Sequence, residues 1–162
     1  MPTLTLRKIK KSDLPYFLKW WQDRDVIALT SGCFDEPEAN LRRYFANMLA
    51  AKNDRNYIIL AGEKAIGHLA LIHKSPTLFE LTIAIGEKPY WGQGWGTRAV
   101  KGALTVAFGR LGYTKAFLEV RPDNARAIKA YENCGFVSKG LKKHPDNPNQ
   151  PVTVRMERKK VK

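Results

Sequence analysis

Residues 91–96 read WGQGWG, three glycines within five positions, immediately before a long amphipathic run. Glycine loses more backbone freedom on folding than any other residue, so three together imply a sharp turn or a close approach to the main chain. Downstream, Val100, Ala103, Leu104, Ala107, Phe108 and Leu111 recur every three or four residues, which predicts a helix over 97–111 with one apolar stripe. Gly112 stands where glycine commonly ends a helix. Upstream, TLFELTIAIG reads as a strand. Strand, glycine loop and helix start together make an anion site, because free N–H groups and the positive end of the helix dipole converge there. By itself the pattern also fits a turn needed only for packing. It is not GxxxxGK[ST], which disfavours a P-loop nucleotidase, and its G-x-G-x-G spacing misses the dinucleotide fingerprint.

The loop sits in a chain of 162 residues, a length suited to one domain with its own core, here 1–162. No apolar run approaches the roughly 18 residues of a membrane span, and MPTLTLRKIKK lacks the apolar centre of a secretory signal. Cys33 and Cys134 are far apart with no zinc-like spacing, so both read as free thiols in a reducing cytoplasm. His68 and His73, five apart, face opposite sides of a strand, and no metal is expected. The net charge of +13 favours anionic partners such as phosphorylated cofactors or nucleic acid. From Ser138 to Lys162 eight Lys or Arg stand against two acids, a solvated basic hairpin on the plainest reading.

Alternation and caps supply the remaining elements. TLTLRKI is a first strand at about 3–9. Ser12 is placed to cap a helix carrying Leu14, Phe17, Leu18 and Trp21. A second helix, with Asp35 at its N-cap and Pro37 in its first turn, carries Leu41, Phe45, Met48 and Leu49. NYIILAG and KAIGHLALIHKS form a hairpin around GEK. TKAFLEV is a strand, and PDNARAIKAYENCG a helix from Asn124 to Gly135. FVSKGLKKH and PVTVRMERK are two closing strands. The order β-α-α-β-β-β-α-β-α-β-β within one short chain gives an α/β class, a single sheet with helices on both faces.

Residues 78–136 resemble the GNAT superfamily of N-acetyltransferases, on three consecutive pieces. ELTIAIG enters the loop. Trp91 to Gly96 is similar to the family's Q/R-x-x-G-x-G/A acetyl-CoA signature. EVRPDNARAIKAYENCGF is similar to the family's N-x-x-A-x-x-x-Y-x-x-x-G-F, with Asn124, Ala127, Tyr131, Gly135 and Phe136 in register. Trp91 stands where Gln or Arg is commoner, and the YWG entry looks like the branch that includes ribosomal-protein N-terminal acetyltransferases and many small-molecule acetyltransferases.

The resemblance implies a GNAT-like fold with a central mixed, mostly antiparallel twisted sheet. It also implies acetyl-CoA as donor. Gln93, Gly94, Trp95, Gly96, Thr97 and Arg98 would wrap the coenzyme A pyrophosphate. Ile83, Ala84 and Ile85 would pair with the pantetheine arm, and Asn124 would lie against it. Tyr131 takes the place of the acid that protonates the departing thiolate. For a base, Glu80 occupies a position where some relatives carry a glutamate, and Glu119 on the neighbouring strand is the other candidate. Trp20 and Trp21, adjacent on a helix, cannot share one face; one is expected in the core and the other on an acceptor wall. Asp23, Asp25, Asp35 and Glu36 lie in the same region and can attract an amine. The implied acceptor is a primary amine, such as a ribosomal protein's N-terminus with ribosome association. The alternative is an aminoglycoside or polyamine. A non-catalytic acyl-CoA sensor and a basic RNA-binding module are the readings outside enzymology.

Overall fold

The computed structural model describes residues 1–161, so Lys162 of the basic run lies outside the described residues. Seven strands form one sheet in the order β1-β2-β3-β4-β5-β7-β6. They are β1 (Leu4–Lys8), β2 (Arg55–Ala61), β3 (Lys64–His73), β4 (Leu78–Ile85), β5 (Lys115–Val120), β6 (Val137–Lys143) and β7 (Val152–Lys159). Every neighbouring pair is antiparallel except β4 and β5. The helices are α1 (Leu14–Trp21), α2 (Arg24–Leu29), α3 (Glu38–Ala50), α4 (Trp95–Phe108) and α5 (Ala125–Asn133).

Alternation along the strands divides the core in two. On one face Leu69, Leu71, Phe79, Leu81, Leu118 and Met156 meet the α4 stripe and Tyr131 of α5. On the other, Phe17, Trp20 and Phe45 close over Ile58 and Ala65. The expected α4 stripe is buried through Phe108, and its neighbour Ala99 joins it. The helix spans Trp95–Phe108, because Gly94 in a left-handed conformation starts it and Gly109 ends it.

Three N-terminal expectations are corrected. Ser12 caps nothing: Asp13 accepts the Lys10 N–H at 2.8 Å and pairs with Arg7, and a short 3₁₀ turn leads into α1. Asp35 is not a cap either. Extended Pro37 separates it from α3, and the Asn40 and Leu41 amides donate to the Pro37 carbonyl. Residues 22–29 break from α1 into a separate α2, because the Asp23 carboxylate accepts the amides of Asp25 and Val26 and starts a new helix. Trp20 and Trp21 both pack on Phe17, at 5.7 and 5.1 Å between ring centroids; Trp20 is buried in the core, as expected of one of the pair, and Trp21 is partly buried at the edge of the same cluster.

Candidate active site

Strands β4 and β5 pair only where Leu78–Glu80 runs beside Lys115–Phe117. Past Glu80 each keeps its outer neighbour: β4 stays on β3 as far as Ile85 opposite Gly67, and β5 stays on β7 as far as Val120 opposite Val154. A slot therefore opens between Leu81–Ile85 and Leu118–Val120, with one edge of the β4 backbone facing it. Gly67 is a close-approach glycine, since a Cβ there would lie 2.3 Å from the Ala84 carbonyl oxygen. Ile83 and Ile85 turn to the α4 core, while Ala84 stands opposite His68 on the other face.

At the open end of β4 the chain enters the glycine loop. The Trp91 indole donates to the Ile85 carbonyl at 2.7 Å and pins the loop to the strand end. Gly92 and Gly94 have φ of 73° and 84°, values L side chains rarely adopt. A Cβ on either would meet nothing within 4 Å, so the space over the loop is open. Among the described residues the amides of 92–97 donate to no acceptor within the chain. Free amides at a helix N-terminus, bent by two left-handed glycines and exposed to open space, fit a pyrophosphate. Side chains contribute less there. Gln93 folds back to the Pro89 carbonyl, Arg98 lies over the Trp95 ring at 4.6 Å, and Trp95 is buried. Gly96 lies within α4, and the Thr97 carbonyl meets the Cys134 thiol at 3.5 Å, tying α4 to α5.

Asn124 caps α5: its Oδ1 accepts the Ala127 amide at 3.2 Å, and its amide group reaches the Leu29 carbonyl of α2. About two turns further on, Tyr131 is buried edge-on to Phe136, in the core that also contains Leu81, Leu118 and Val120. Its hydroxyl has no partner within the chain among the described residues, and burial raises its pKa well above the ordinary phenol value. The phenol thus stays a proton carrier at neutral pH.

The two glutamates occupy different ends of the split. Glu80 is at the last paired position, beside Phe117, and forms an ion pair with Lys74 at 3.4 Å. Glu119 lies beyond the pairing, on the β5 side of the slot. Its Oε1 accepts the Thr153 hydroxyl at 2.5 Å and meets His144 Nε2 at 2.6 Å, while Lys142 approaches Oε2 at 3.9 Å. Burial pushes this carboxyl up, but those hydrogen bonds and charges outweigh it and hold it below the usual carboxylate range. His144 and Thr153 had no signal in the sequence, since they lie 25 and 34 residues from Glu119.

Of the acids expected to attract an amine, Asp23 caps α2, and both Asp23 and Asp25 pair with Lys88. Among the described residues Glu36 receives only neutral donors, from Asn40, Cys33 and Tyr44, and keeps its charge on the loop between α2 and α3. Arg121 fastens that loop to the sheet by donating to the Thr30 carbonyl, and to the Asn149 carbonyl of the β6–β7 turn. Buried Glu87 receives the Trp20 indole and Lys19, joining α1 to the entrance of the glycine loop.

The family model for the acetyltransferase (GNAT) domain matches residues 3–137. A spermidine N(1)-acetyltransferase of Vibrio cholerae is 28% identical over 146 residues, covering 85% of this chain and 80% of that protein. An aminoglycoside N(6′)-acetyltransferase of Klebsiella pneumoniae is 24% identical over 162 residues, covering 90% and 80%. The crystal structure of the Vibrio cholerae spermidine N-acetyltransferase with CoA and spermine superposes with a TM-score of 0.83 at 24% identity, covering 96% of this chain and 95% of that one. That of an aminoglycoside acetyltransferase with coenzyme A gives 0.81 at 21%, covering 98% and 95%.

Proposed function

Because the chain belongs to the GNAT acetyltransferase family, we propose that it transfers an acetyl group from acetyl-CoA directly to a small-molecule primary amine. The observation that carries this reading is the slot between β4 and β5, with free amides at one end and Glu119 on its flank. The relatives named above act on spermidine and aminoglycosides, which supports a small amine over a protein N-terminus. They lend nothing to a ribosomal-protein acceptor, and β6, the edge of the basic hairpin, is exposed along its whole length as a solvated face is.

Acetyl-CoA supplies the activated acetyl group. The amides of 92–97 hold its pyrophosphate, and the open edge of Ile83, Ala84 and Ile85 aligns the arm that leads to the thioester. Asn124 sets the start of α5 beside that arm. Glu119 accepts a proton from the acceptor's ammonium, leaving a neutral amine to attack the acyl carbon. Tyr131 donates its proton to the departing sulfur and regains one from the nitrogen as the amide forms. The proton on Glu119 passes to solvent. Glu119 is preferred to Glu80 as the base because Glu80 sits where the strands are still joined.

The test is a panel of spermidine, kanamycin, simple monoamines and N-terminal peptides, incubated with labelled acetyl-CoA and read by mass spectrometry. Acetylated small amines are expected. Label confined to peptide N-termini would reverse the acceptor assignment, and no transfer to any of them would reject acetyltransferase activity in favour of acyl-CoA sensing.

A further inference from the structure

We propose that His144, held with Thr153 against one oxygen of Glu119, is a positioning residue that decides which carboxylate oxygen receives the acceptor's proton and throttles acetyl transfer when it is itself protonated. This rests on Glu119 being the base. Three contacts make the cluster: Thr153 Oγ1 to Glu119 Oε1 at 2.5 Å, His144 Nε2 to the same oxygen at 2.6 Å, and His144 Nε2 to Thr153 Oγ1 at 3.0 Å. Thr153 is almost fully buried on β7, and His144 follows the end of β6, its backbone amide donating to the Pro151 carbonyl at 2.7 Å. The histidine is thus fixed by the hairpin and not by the carboxylate.

An ionised carboxylate accepts and cannot donate, so Nε2 must carry a hydrogen in this arrangement. Oε1 is then occupied by two donors, and Oε2, approached among the described residues by Lys142 alone at 3.9 Å, is left to take the proton. The charge on the other ring nitrogen is the variable. Neutral His144 holds Glu119 through a hydrogen bond alone. Protonated His144 adds a full positive charge 2.6 Å away, which stabilises the carboxylate, weakens it as a base and repels an incoming ammonium.

Among the described residues, the charged and titratable groups acting on Glu119 are His144 and Lys142. Lys142 is on β6, and Arg121, just past the end of β5, is turned to the Thr30 and Asn149 carbonyls. Arg155, opposite Glu119 on β7, lies over the Phe117 ring at 3.8 Å and pairs with Glu157.

The experiment compares wild type, H144Q and E119Q. Glutamine can donate from nearly the same place and cannot titrate. Acetyl transfer to spermidine is followed by free-thiol release from pH 6 to 8, alongside coenzyme A affinity, and the Glu119 side-chain carboxyl carbon is followed by 13C NMR over the same range. H144Q is expected to outpace wild type at pH 6, by roughly threefold or more, and to match it at pH 8, with coenzyme A affinity unchanged. The wild-type carboxyl resonance should show a neutral-range inflection that H144Q lacks. A merely structural role would slow H144Q at every pH. A constant ratio of variant to wild type, or an inflection that survives in H144Q, overturns the proposal. E119Q with wild-type rates would instead remove Glu119 as the base. If spermidine is not acetylated, the choice of acceptor fails, and the NMR comparison still decides the role of His144.

Discussion

His68 stands on β3 opposite Ala84, edge-on to Phe17 at 4.9 Å, with Nε2 2.9 Å from Asn56 Oδ1. Burial pulls its pKa down to about 4, so the folded chain keeps it neutral where an unfolded chain would protonate it. Its contribution to stability is therefore complete above about pH 6.5 and is lost as pH falls from there toward 4. The loss is at most about 3.4 kcal/mol. Chemical denaturation at pH 7, 6, 5 and 4 should show this slope, and H68N should flatten it between pH 6.5 and 4 whatever it does to absolute stability. Tyr131 is the second residue-scale test. Y131F removes only a hydroxyl that has no partner within the chain among the described residues, so the fold and coenzyme A affinity should survive. Single-turnover transfer should fall by roughly 10²–10⁴-fold. A rate within about twofold of wild type would remove it from the reaction. Asn124 and Tyr131 could be read from the chain because both lie on one short helix with fixed spacing. The Glu119 cluster could not, since β5, β7 and the end of β6 meet only after the sheet has formed.

Helix α4 and the loop before it were legible for the same local reason: an apolar period and three glycines need no distant partner to be recognised. The boundaries were not. Helix α2 depends on one carboxylate, that of Asp23, finding two amides, and an apolar run cannot announce that break. The β4–β5 split was equally hidden, since both sequences read as ordinary strands and only the register shows the pairing stopping at Glu80. The loop makes its own prediction. At Gly94, φ of 84° means that any L residue is strained by roughly 1–2 kcal/mol even though nothing blocks a Cβ. G94V should accordingly lower thermal stability modestly while abolishing most coenzyme A binding, because its branched side chain would occupy the space the free amides face. Calorimetric titration beside a melting curve separates the two effects, and normal coenzyme A affinity in G94V would dismiss the loop as a pyrophosphate cradle.

For the molecule as a whole, a donor bound across loop, slot and α5 should stabilise the folded state by mass action. Acetyl-CoA at about a hundredfold over Kd should add about 2.7 kcal/mol, visible as a rise in Tm, and ATP at the same concentration should do much less. Equal shifts would mean a general phosphate site. The split sheet also has a mechanical meaning. β1 to β4 form one plate and β5 to β7 another, riveted along the three residue pairs Leu78–Lys115, Phe79–Ala116 and Glu80–Phe117. The first plate carries the strand and loop proposed to hold the donor; the second carries Glu119 and Thr153. Any change of pairing at the rivet would alter the width of the slot at its far end. The width of that gap is set jointly by the three strand pairs and by the core around α4, which packs on both plates.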